Sequence, residues 1–238
     1  MDTRSAKSSL ILRRTELSWM CGLPPVPCSR PPTWSSTTSS RPNSQITAAA
    51  KLWDGTGGFV FTSSSGVWPD DDDVTIFTET TPTKPLGENP RTDKLLQAEQ
   101  ATLAAGGCVV RLAGLYHATR GAHMYFLKMG EVPSKGDSLV NLIHYKDAAT
   151  LSVAALSSGF KEQTFMGCDN SPVTKIEMME AVYASGRYED DKCTFTITEG
   201  NPGRRMNNNA TRLLLTWQPE FASFQDFMED YKAGRVDI

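Results

Sequence analysis

Three hydroxyls, Ser63-Ser64-Ser65, end the short apolar run Phe59-Val60-Phe61-Thr62, and a serine in that place can hydrogen-bond a substrate hydroxyl. The run is aromatic and β-branched and follows the glycine cluster Asp54-Gly55-Thr56-Gly57-Gly58, which reads as a buried strand. In open α/β sheets, ligands collect off the carboxyl ends of the strands, where these serines would lie. The competing reading is an ordinary polar turn. Arg120 and His123 fall in a polar segment beyond a second strand, where a guanidinium can hold phosphate. A solvated loop is the alternative there. His144 and Asp147 sit at a strand-to-helix junction and read first as turn-fixing groups, with Asp147 in the helix's first turn where a carboxylate is favoured. The acid run Asp70 to Asp73 reads as a solvated loop, because it lacks the spacing of a calcium-binding loop. No metal site is expected. Tyr188 and Lys192 have the spacing of a proton-transfer pair, but in a polar loop, where the match reads as chance.

The elements that must position these residues alternate. Residues 46–53 form a helix stopped by Asp54-Gly55, and the serine strand follows. A helix is predicted from Arg91 to Ala105, ended by Gly106-Gly107, and then a buried strand Cys108 to Tyr116. Strand, helix, strand in that order is a βαβ crossover and implies parallel pairing. A short strand Leu139 to Ile143 leads to His144, and a helix covers Asp147 to Ser157. Another strand, Thr164 to Gly167, ends in Cys168-Asp169-Asn170. Thr174 with Glu177 reads as a capping box for a helix through Tyr183. A strand at Cys193 to Thr198 and helices at Asn209 to Leu215 and Phe224 to Tyr231 complete the chain.

Bulk properties exclude several classes. A net charge of -3 without a basic stripe argues against sequence-independent nucleic-acid binding. No apolar run is long enough to cross a bilayer, so a soluble protein is expected. The five cysteines are widely spaced and odd in number, and read as reduced thiols. Residues 1–45 are dense in Ser, Thr, Pro and Arg, with Asp2 and Glu16 the only acids, and are expected to be poorly ordered. An organellar transit peptide and an out-of-frame translation both fit that composition, which leaves the compartment open between cytosol and plastid.

Taken together, the motifs resemble the extended short-chain dehydrogenase/reductases, the NAD(P)-dependent epimerase/dehydratase superfamily. Phe61-Thr-Ser-Ser-Ser-Gly-Val-Trp68 is similar to that family's strand ending in Ser-Ser, two residues and Val-Tyr, with Ser64 at the catalytic serine's position. Arg111-Leu-Ala-Gly-Leu-Tyr116 is similar to the strand beside the nicotinamide. Asn141-Leu-Ile-His144 with Asp147 looks like the Asn-x-x-His-x-x-Asp signature, and Asn208 through Trp217-Gln-Pro219 looks like the terminal Asn and Gly-Trp-x-Pro motif. Arg120-Gly-Ala-His123 matches a segment of the family's atypical members. The resemblance spans roughly Ile46 to Tyr231.

What the resemblance implies is an α/β protein with an NAD(P)-binding, Rossmann-like parallel sheet, N-terminally truncated, over residues 46–160, and a small α+β substrate lobe over residues 161–238. It places Ser64 and Lys94 among catalytic groups and Ser63, Arg111, Gly114 and Tyr116 beside the dinucleotide. Arg120, His123, Asn141 and His144 fall toward a small-molecule substrate, by resemblance a nucleotide sugar. Two departures stand out. No Gly-x-x-Gly-x-x-Gly turn occurs, so NAD(P) binding is expected to be weak or absent, and the tyrosine four residues before Lys94 is replaced by Pro90. Three readings follow. The chain is a degenerate member with reduced or lost catalysis, an active NAD(P)-dependent enzyme whose true N-terminus differs, or a non-enzymatic interaction protein on the same scaffold.

Overall fold

A computed structural model describes residues 20–21, 42–70, 76–188 and 192–236 of the chain. The expectation of disorder over residues 1–45, and the transit-peptide and out-of-frame readings of them, therefore lie almost wholly outside the described residues. The described part begins with strand β1 (Met20–Cys21) and helix α1 (Pro42–Leu52). The serine run is β2 (Phe59–Ser64), followed by a single 3-10 turn at Ser65–Val67 and by β3 (Ile76–Phe77). Helix α2 (Pro90–Ala104) crosses over to β4 (Cys108–Leu112). After β5 (Gly114–Tyr116) come α3 (Ala122–Met129), β6 (Glu131–Lys135), β7 (Leu139–Val140) and β8 (Leu142–His144). Helix α4 (Tyr145–Ser157) leads to β9 (Thr164–Gly167), β10 (Val173–Thr174) and α5 (Lys175–Ser185). The chain closes with β11 (Thr194–Ile197), β12 (Arg205–Met206), α6 (Asn209–Leu215) and α7 (Phe224–Lys232).

The main sheet runs β1-β2-β4-β9, with β2, β4 and β9 parallel and β1 antiparallel at the edge. Alternation along β2 divides the core. Phe59 and Phe61 pack on Ile46 of α1 and Ala98 of α2, whereas Val60 joins Val110, Leu151, Ala155 and Phe165 beneath α4. Packing on the α4 side is tight enough to demand glycine. A Cβ at Gly167 would lie 2.6 Å from Leu112 Cδ2 and 2.9 Å from Leu151 Cδ2, and one at Gly58 would collide with the Leu156 carbonyl.

The single strand expected over 108–116 is broken at Ala113, because the chain changes partner there. Ala113 N donates to the Gly167 carbonyl of β9 at 2.8 Å, and Gly114 N donates to the Asn141 carbonyl at 3.0 Å, so β5 pairs with β8 in a separate parallel ladder. That ladder leads into the second core, where Tyr116, Met178, Val182, Phe224, Phe227 and Tyr231 join α5 to α7.

Helix α5 begins with the expected capping box: Thr174 Oγ1 accepts from Glu177 N at 3.1 Å, and the Glu177 carboxylate accepts from Thr174 N at 2.8 Å. Hydrogen bonding to Thr174 holds the Glu177 carboxyl below its usual range. Replacing Thr174 with alanine is expected to cost about 1 kcal/mol of stability, read as a lower urea midpoint with unchanged slope.

Candidate functional site

The carboxyl ends of β2, β4 and β5 carry the candidates, but most are engaged internally. Ser64 caps the 3-10 turn, its Oγ accepting from Gly66 N at 3.2 Å, and remains half-buried. Ser63 is 6% exposed, and among the described residues its Oγ has no hydrogen-bond partner. Arg111 stands next to Ser63 in the ladder but turns its guanidinium onto Glu99 of α2, with Nε to Oε1 at 3.2 Å and Nη2 to Oε2 at 2.8 Å. Its Cζ also lies 5.2 Å from the centre of the Trp68 ring. Arg111 is thus a cross-brace between β4, α2 and the turn after β2, its guanidinium committed to Glu99.

Tyr116 is engaged internally as well. It is fully buried, ringed by His144, Phe224 and Phe227, and its hydroxyl contacts the Ser223 carbonyl at 3.4 Å. Burial raises its pKa far above the usual phenol range. Gly114 is exposed, and its backbone is committed to Asn141. At the start of α2, Asn89 caps the helix, Pro90 is its first residue, and Lys94 is exposed one turn in.

On the substrate side the polar segment expected around His123 is instead helix α3, and His123 has no exposed surface. Its Nε2 lies 3.2 Å from the Ala118 carbonyl, and its ring packs on Tyr188 and Phe224. Burial holds its pKa down to about 4, so the ring is neutral at pH 7. Asn141 is spent on the backbone: Nδ2 donates to the Arg204 carbonyl at 2.7 Å, and Oδ1 accepts from Met206 N at 2.9 Å. It acts as a stitch between β12 and the start of β8. His144 caps α4 through Nδ1, which accepts from Lys146 N at 3.2 Å, and burial lowers its pKa to about 4. Asp147 accepts from Glu220 N at 2.7 Å and Phe221 N at 3.1 Å, pinning the chain that leads into α7. Both groups do the turn-fixing work their position suggested.

Arg120 alone of the four substrate-side candidates reaches solvent as a charged head. Its Cζ lies 5.4 Å from the centre of the Tyr145 ring, and His117 approaches the same ring at 5.2 Å. Neither His117 nor Tyr145 stood out in the sequence. Each simply follows the last residue of a strand, and only the parallel pairing brings them together.

Asp70 is paired with Lys84 and Arg204, while Asp71 to Asp73 lie outside the described residues. Among the described residues no group of His, Cys, Asp and Glu is arranged for a metal. Cys108 and Cys168 are buried free thiols and Cys193 is half-buried and free. Tyr188, of the Tyr188 and Lys192 pair, donates its hydroxyl to the Ala118 carbonyl at 2.6 Å.

No family profile matches the sequence, and no curated protein does. Solved structures do. A dTDP-glucose 4,6-dehydratase from Bacillus anthracis, in complex with NAD, superposes with a TM-score of 0.65 at 15% identity, covering 81% of this chain and 67% of that one. The chain has the Rossmann-like fold of the epimerases and dehydratases. A UDP-glucuronic acid 4-epimerase from Bacillus cereus, also with NAD, gives 0.65 at 16% identity over 81% of this chain and 66% of that one. A functionally unknown conserved protein from Silicibacter pomeroyi reaches 22% identity at a TM-score of 0.61, over 82% and 71%. This chain therefore spans about two thirds of the length of these epimerase/dehydratase-fold structures. Among the described residues no helix is long and apolar enough to cross a membrane.

Proposed function

We propose that this chain is an epimerase/dehydratase-like protein that holds a nucleotide sugar or related small molecule near Ser64 and has lost hydride-transfer catalysis. The observation that carries the reading is the start of α2. A tyrosine there would supply the proton to the substrate oxygen, with the lysine one turn on lowering its pKa. Pro90, with no hydroxyl, is the residue four before Lys94. Ser64 is half-buried, and its hydroxyl, which accepts from Gly66 N, can still donate to a substrate oxygen. The remaining residues do not fit a tightly gripped NAD(P). Arg111 is neutralised by Glu99, Tyr116 is sealed in an aromatic cluster, and of the set Ser63 alone carries an uncommitted polar atom, itself buried. A dinucleotide held there would gain little that the protein does not already satisfy internally.

Tryptophan fluorescence tests this directly, since Trp68 lies buried against Arg111. Titration with NADH or NADPH is expected to give no saturable quenching at micromolar cofactor. Saturable micromolar binding would replace this reading with that of an active NAD(P)-dependent enzyme. Absence of both cofactor and UDP-sugar binding by a cooperatively folded sample would favour a non-enzymatic interaction protein.

A further inference from the structure

We infer that His117, Arg120 and Tyr145 form an anion corner that takes a phosphate group. The corner follows from strand register. In the β5–β8 ladder Tyr116 stands opposite His144, so the next residues, His117 and Tyr145, leave the carboxyl ends of the two strands side by side. A tight turn then brings Arg120 back. His117 N donates to the Arg120 carbonyl at 2.9 Å, and Arg120 N donates to the His117 carbonyl at 3.2 Å. The Tyr145 ring is thereby bracketed by an imidazole at 5.2 Å and a guanidinium at 5.4 Å.

Donor chemistry and charge both suit an anion. His117 Nδ1 accepts from Thr119 N at 3.2 Å, so the neutral ring carries its proton on Nε2 and keeps that N–H as a donor. Among the described residues no carboxylate pairs with Arg120, whereas the neighbouring Lys146 is occupied by Glu220 at 2.6 Å. Burial, and after it the charge of Arg120, lowers the His117 imidazole's pKa. The other imidazoles nearby are His123 and His144, also cationic when charged. A guanidinium backed by an aromatic face is already oriented, so it loses less freedom on binding a phosphate through two parallel hydrogen bonds. The choice of a nucleoside diphosphate as the natural ligand rests on the function proposed above; the anion corner itself does not.

The chain has three histidines, and burial holds His123 and His144 near 4, so the His117 ring signals can be followed through neutral pH by proton NMR and assigned with H117Q. Replacing chloride by inorganic phosphate at constant ionic strength is expected to raise the His117 midpoint by about one pH unit, the effect of a nearby opposite charge. UDP should do so at a lower concentration, and Arg120→Gln should abolish both rises. Unchanged His123 and His144 signals in that variant show that its fold is intact. A His117 midpoint unmoved by either anion, or moved equally in the Arg120→Gln protein, overturns the corner. A response to phosphate at or below the UDP concentration keeps the corner and overturns the diphosphate. None of these outcomes depends on whether NADH binds.

Discussion

Replacing Glu99 with alanine is expected to cost about 3–5 kcal/mol, because it strands a guanidinium in the core. Glu99 is 2% exposed and Arg111 8%, and the two meet through paired hydrogen bonds of 2.8–3.3 Å. Water cannot take over the bonds that Glu99 makes, and Arg111 has no second carboxylate among the described residues. The stacked Trp68 offers its ring face to the cation but no full charge. In a chain of this size the loss corresponds to roughly 10 °C in melting temperature. The loss on breaking the pair is not its net contribution, since removing both ions at once leaves nothing uncompensated. The double variant Glu99→Leu with Arg111→Met should therefore recover most of the loss. Urea unfolding of the wild type, both single variants and the double variant closes this cycle. A Glu99→Ala cost below about 1 kcal/mol would mean that water reaches the pair and that Arg111 is available to a ligand after all.

Elements with their own punctuation were legible in the sequence. Helix α2, expected from 91 to 105, runs from Pro90 to Ala104, and the Thr174–Glu177 box falls where its spacing placed it. Local signals suffice there, because the cap, the apolar period and the terminating glycines all lie within the element. Helix α3 gave no such signal. It follows Gly121, with φ 138° and no side-chain cap, and its buried residues His123 and Phe126 pack on Tyr188, Phe224 and Phe195, far along the chain. The two-residue strands β3, β7, β10 and β12 are likewise defined only by distant partners, as Arg205 and Met206 are by Ile76 and Phe77.

The candidate site was legible in its positions and less so in its roles. Residue type says what a side chain is able to bind, while burial and partners decide whether it is free to do so. Arg111, Asn141 and Tyr116 are all capable of holding a ligand, yet Glu99, the 204–206 backbone and an aromatic cluster hold them first. Glu99 lies twelve residues before Arg111, across a helix-to-strand turn, so the pairing has no short-range spacing to betray it. His117 and Tyr145 show the converse. They lie 28 positions apart and become neighbours solely because β5 and β8 pair in parallel at that register.

Asp169 should make the protein lose stability as pH rises, and Asp169→Asn should abolish that loss. The carboxyl is 4% exposed; Oδ1 accepts from Ser171 N at 2.9 Å, but among the described residues Oδ2 has no partner. Burial, with Asp147 adding repulsion, lifts its pKa from the ordinary 3.8 to about 7, against the pull of Ser171 N and Arg212. Below 3.8 the group is protonated in both folded and unfolded chains and contributes nothing. Between 3.8 and about 7 the unfolded chain releases its proton and the folded one keeps it, so folding is progressively penalised. Above 7 the penalty is complete, on the order of 4 kcal/mol at most. His123 and His144 act in the opposite sense. Their folded values near 4 lie below the ordinary 6.5, so they remove stability as pH falls through that interval. Those contributions are common to both proteins and cancel in the difference. Urea unfolding from pH 4 to 8 is therefore expected to show Asp169→Asn close to wild type at the acid end and increasingly more stable above pH 6. The gain should approach about 2–4 kcal/mol, less whatever the new amide loses for want of an acceptor. Parallel profiles across the range would mean that Asp169 ionises freely in the folded protein, with solvent at Oδ2.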